Sequence, residues 1–67
     1  VNQRDKDTQK ELDHAIAQHR RVDLKIEDMQ RESVPDMLTI QRLKKEKLAL
    51  KDEIARLRAM LTPDIIA

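Results

Sequence analysis

The 67-residue sequence has no cysteine, no glycine and no aromatic residue, and each gap removes a class of structure or chemistry. Without cysteine the fold is not held by disulfides, a usage that fits a reducing compartment. Without Phe, Tyr or Trp the core has to be built from Leu, Ile, Val, Met and Ala, and the aromatic platforms that usually stack on nucleic-acid bases are missing. Without glycine no residue takes the left-handed conformation cheaply, which is the usual way to end a helix tightly. Long apolar runs are missing too: none approaches the roughly 20 residues of a membrane span, and no basic-then-apolar leader opens the sequence. The expectation is a soluble, cytoplasmic protein.

What is present is charge, at 40% of residues, with a net value of only +1. The balance is uneven along the chain. Residues 8–33 carry five bases against six acids, whereas residues 37–61 carry seven bases against three acids. A chain this short buries too little apolar surface to be comfortably stable alone, so association with itself or with a partner is expected.

The longest periodic stretch runs from Ile40 to Leu61 without a glycine or a proline. Ile40, Leu43, Leu50, Ile54, Leu57 and Leu61 follow the three-and-four spacing of a coiled-coil seam, interrupted by Lys47 where an apolar residue is due. An earlier stretch repeats the pattern with Leu12, Ala15, His19, Val22, Ile26 and Met29. Thr8-Gln-Lys-Glu11 has the form of a capping box and sets the expected start of this first helix. The spacing therefore predicts residues 1–7 as a disordered or frayed terminus, helix 1 over about 8–31, a turn over about 32–36, helix 2 over about 36–61, and a tail from 62 to 67. Glu27 and Arg31, four apart, form an expected exposed ion pair.

The joint Glu32-Ser-Val-Pro-Asp36 decides the architecture. Proline costs about 3 kcal/mol inside a helix but little in its first turn, so Ser33 as cap with Pro35 and Asp36 following reads as a helix start. The seam register nevertheless continues unbroken across the joint, which also suits one long kinked helix in a multichain coiled coil. The residues at the seam positions favour the hairpin. In-register parallel helices stack Lys47 on Lys47 and His19 on His19, whereas a hairpin sets Lys47 opposite Val22 with Asp23 alongside. The fold class expected is all-α, an antiparallel two-helix hairpin with a coiled-coil-like seam, in which facing residue numbers sum to about 69.

His19-Arg-Arg-Val22-Asp23-Leu-Lys-Ile26, followed by Ile40-Gln-Arg-Leu-Lys-Lys-Glu-Lys-Leu-Ala-Leu-Lys-Asp-Glu-Ile-Ala-Arg-Leu57, resembles the YdcH-like family of small bacterial proteins of unknown function. The resemblance covers about residues 12–61. It implies a soluble antiparallel helical hairpin with no assigned activity, cofactor or partner. The glycine-free joint and the tail after Leu61 depart from the family's pattern.

Chemistry of sites finds little to work with. His14 and His19 are five apart, about 140° round a helix, and cannot share a metal; His19 and Asp23 share a face but lack a third ligand. Ser33 and three threonines are the hydroxyls available, and no loop is long enough to shape a water-excluding pocket. No catalytic, metal or cofactor-binding residue is assigned, no small-molecule substrate is expected, and the protein is read as a non-enzyme. The leading expectation is a helical assembly or adaptor module that contacts a protein partner or its own copies through apolar residues outside the seam, namely Leu24, Leu38 and Leu48, with Ile65 and Ile66 beyond the Pro63 stop. The alternative is a nucleic-acid-associated protein that holds phosphate through Arg42, Lys44, Lys45, Lys51 and Arg58 on the basic second helix.

Overall fold

The computed structural model describes residues 3–61, with side chains from residue 5 onward. Within that span the chain is two helices and a connection. Helix α1 covers Gln3–Gln30 and helix α2 covers Met37–Leu61, and no strand occurs among the described residues. At a rise of 1.5 Å per residue these are about 42 Å and about 37 Å long, packed side by side as an antiparallel hairpin. The extents of 50 × 23 × 14 Å describe a slab one helix deep. Both broad faces of the hairpin are therefore open.

Helix α1 begins five residues before the expected Thr8. The segment expected to be frayed is helical from Gln3, since it contains no breaker and Asp5 places an acid in the first turn, at the positive end of the helix dipole. Thr8 is no cap. It falls one heptad ahead of Ala15 in the seam and is buried, so the seam extends a turn beyond the apolar residues that made it visible. Gln9 Nε2 donates to Asp13 Oδ1 at 3.0 Å on the exposed side of the same helix.

The connection also differs in detail from the expectation. Helix α1 ends in tight three-residue turns, with the Arg31 and Glu32 amides donating to the Asp28 and Met29 carbonyls at 3.2 and 3.3 Å. No described residue has positive φ, so the reversal is made without the left-handed residue that glycine supplies. Pro35 keeps Val34 out of the helical region, and α2 starts two residues later. The cap is Asp36, not Ser33: its Oδ1 accepts from the Thr39 amide at 3.2 Å and its Oδ2 from the Thr39 hydroxyl at 2.7 Å. These bonds hold the Asp36 carboxyl below its ordinary value of 3.8. Arg31 pairs with Asp28 at 3.7 Å rather than with Glu27. Both groups are exposed, and the pair adds little.

The core is the seam, divided into two clusters. Leu12, Ala15 and Leu57 are buried together with Ile54 and Leu61 against them, and Val22, Ile26 and Ile40 are buried with Met29, Leu43 and Leu50. Leu12 with Leu57, Ile26 with Leu43 and Met29 with Ile40 each share a cluster, as numbers summing to 69 require. Ile40 is 0% exposed, the deepest side chain of the hairpin. His19 sits at the break between the clusters and is only half-buried. The expected tail elements, Thr62-Pro-Asp with Ile65 and Ile66, lie outside the described residues.

Candidate interaction surface

Lys47 interrupts the α2 seam, and its environment explains how a charge is tolerated there. The Nζ of Lys47 donates to Asp23 Oδ1 at 2.5 Å across the two helices, with 37% of the Lys47 side chain and 39% of the Asp23 side chain exposed. The stem covers the seam at the level of Val22 while the ammonium reaches the edge. The hydrogen bond from Lys47 is the main reason the Asp23 carboxyl lies below its ordinary value; burial opposes this, and the charges of Lys47 and His19 add to it. This pair lies on one broad face of the hairpin.

The same face carries a shallow groove. Ile16, His19 and Ile54 form its floor and Lys47, Lys51 and Arg58 its rim. A second depression lined by Lys44, Lys47, Leu48 and Lys51 continues it along α2. The groove exists because the seam is thin here: Ala15 is small and His19 is polar, so neither fills the space between the helices. On the opposite face, Lys10, Glu11, His14, Ala15, Gln18, Leu50 and Glu53 line a depression over the same thin point. That face mixes acids and bases.

The expected partner-binding leucines do not converge. Leu24, Leu38 and Leu48 are exposed at 53%, 69% and 58%. Leu24 is about 200° round from Val22 on α1, and Leu38 about 200° round from Ile40 on α2, so they occupy opposite outer edges of the hairpin. Leu48 alone joins the groove, between Lys44 and Lys51. Ile16, 38% exposed, belongs with it. Sequence reasoning passed over Ile16 because it flanks the seam; its spacing of four from Leu12 and seven from Asp23 was the available signal.

The expected phosphate-binding residues also divide. Lys44, Lys51 and Arg58 repeat every seven residues and share the groove side of α2. Arg42 and Lys45 lie with Leu38 and Gln41 on the outer side. Among the described residues no group of three or more His, Cys, Asp or Glu side chains is placed to hold a metal ion. No described helix is long and apolar enough to cross a membrane.

Two helices with a divided apolar seam, an interhelical Lys–Asp pair and a basic groove define a small helical-hairpin protein. Over residues 14–58 the chain belongs to the DUF465 family, whose description is a protein of unknown function. That span holds most of both helices and the whole connection. No curated protein and no solved structure matches the chain.

Proposed function

We propose that the protein is a non-catalytic helical assembly or adaptor module that works through protein contacts, a role also open to YdcH-like hairpins. The observation that carries this reading is Leu48, 58% exposed at the centre of the groove side of α2 with Lys44 and Lys51 on either side. An apolar residue flanked by bases suits a surface that buries the leucine and meets acidic groups at its rim. Leu48→Asp is expected to weaken association at least tenfold while leaving the far-UV helical signal unchanged, because Leu48 points away from the seam. Sedimentation at matched concentrations reads this.

A second reading has its own observation, the repeat of Lys44, Lys51 and Arg58 along one side of α2. If that stripe holds a phosphate backbone, Lys44→Ala with Lys51→Ala abolishes binding, and the logarithm of affinity falls steeply with the logarithm of salt. Titration of DNA and RNA at two salt concentrations separates the readings. Tight nucleic-acid binding at physiological salt, with association unmoved by Leu48→Asp, overturns the assembly role.

A further inference from the structure

Resting on the assembly reading, the geometry points to a second copy of this chain as the occupant of the groove face, the two hairpins stacking face to face about a two-fold axis parallel to their helices. The face is bipolar. Its α2 half presents Lys44, Lys47, Lys51 and Arg58 with no acid at the flanking positions of α2, together with Met37, Leu48 and Ala55, and the Lys47 charge is met within the hairpin by Asp23. Its α1 half presents Asp13, Asp23 and Glu27 against the bases Lys6 and Arg20, together with Ile16.

Only two two-fold axes lie in the plane of this face along its natural directions, and charge chooses between them. An axis across the helices lays α2 on the partner's α2, so Lys44, Lys51 and Arg58 meet their own basic stripe. An axis along the helices lays α1 of one copy over α2 of the other, acid over base. That axis also fixes the register, because rotation about it moves nothing along the helices. Residues whose numbers sum to 69 then share a level between copies as they do within one.

At that register Glu27 of one copy comes level with position 42 of the other, about 3 Å along the axis from Lys44, and Asp13 comes level with position 56, about 3 Å from Arg58. Asp23 falls between Lys44 and Leu48. Ile16 lies beneath the stem of Lys51, whose ammonium reaches past it to the edge. Two like-charge approaches remain: Arg20 comes level midway between Lys47 and Lys51, and Lys47, beside the axis, comes level with its own copy, each Lys47 being held by the Asp23 of its own chain. A face about 37 Å long and two helix diameters, about 20 Å, wide projects on the order of 750 Å², close to the ≈ 800 Å² that each partner contributes to a stable interface.

Glu27 and Lys44 are nearly level within one hairpin as well as between copies, so a charge swap between them is read from the concentration dependence of association, which a contact within one chain does not move. Sedimentation equilibrium of the full chain from micromolar to millimolar concentration is expected to give a species of twice 7.9 kDa. Glu27→Lys and Lys44→Glu each raise its dissociation constant about tenfold or more, and the double variant returns it to within about threefold of the starting chain, with helicity by circular dichroism unchanged throughout. As a second measurement, an Arg20→Cys chain mixed with a Leu48→Cys chain forms a disulfide-linked heterodimer in preference to either homodimer, since the two sites are about one residue apart in level across the interface. A dimer that both single charge variants leave intact, or that is not restored by the double, overturns this face as the interface. A chain that stays monomeric at all concentrations overturns the second copy as occupant and leaves the assembly role to a different partner.

Discussion

Lys47 and Asp23 show how one charged residue is kept in a seam otherwise made of leucine and isoleucine. The pair is half-exposed, and each side chain loses part of its hydration to make one hydrogen bond. An apolar residue at 47 extends the cluster of Val22, Ile26 and Ile40 without stranding Asp23, which keeps access to water. Lys47→Leu is therefore expected to raise the melting temperature by about 4 °C or more, while broadening the range of associated species seen by light scattering. A lower melting temperature with monodisperse scattering contradicts that role for Lys47. The same pair sets part of the pH dependence. Asp23 and Asp36 both lie below their ordinary 3.8, so the unfolded chain binds protons first on acidification and stability rises with pH through this range. Their contribution is complete above about pH 5, begins to fall as pH approaches 3.8 and is lost below the depressed values. Melting temperatures from pH 6 to pH 2 should decline over that window, and the decline should be shallower in Asp36→Asn, whose starting stability is lower.

At the scale of the elements, the start of α2 rests on Asp36, which satisfies the Thr39 amide and hydroxyl together. Asp36→Ala removes both bonds and is expected to lower the melting temperature by about 5 °C, with Thr39→Val losing part of that because its amide keeps the carboxylate. Circular dichroism melts of the two variants measure the difference. This cap also shows why parts of the chain were legible and others were not. The helices and their register could be read because Leu12, Val22, Ile26, Ile40, Leu43 and Leu57 repeat over many turns and exclude strands. The ends could not, because local motifs compete there with the seam. Thr8-Gln-Lys-Glu11 has the chemistry of a cap, yet the seam takes Thr8 as an interior position and the helix runs on to Gln3. Ser33 and Asp36 are both good caps in isolation; Pro35 between them restricts Val34 and gives the position to Asp36. The groove was half legible. Leu48 and its lysines stand out in the sequence, but Ile16, His19 and Ile54 become one floor only when the two helices lie side by side, which no spacing within one helix shows.

For the whole molecule the governing fact is thickness. A hairpin one helix deep buries one line of side chains, with Ile40 alone among the described residues reaching zero exposure, so each buried methyl group carries a large share of the stability. Ile40→Ala is expected to cost about 2–5 kcal/mol, enough to unfold an isolated hairpin at room temperature. Association changes that outcome. If two copies stack through the groove face, folding is linked to dimerisation and the melting temperature depends on concentration. With an unfolding entropy near 2.1 cal/mol/K per residue over two chains, a tenfold increase in concentration raises the melting temperature by about 5 °C. The same increase leaves a monomer unmoved. In Ile40→Ala the linkage should be visible directly, as helicity that is lost on dilution and regained on concentration. A melting temperature independent of concentration, in the starting chain and in this variant alike, means that the single line of buried side chains suffices on its own and that the groove face adds nothing to the fold.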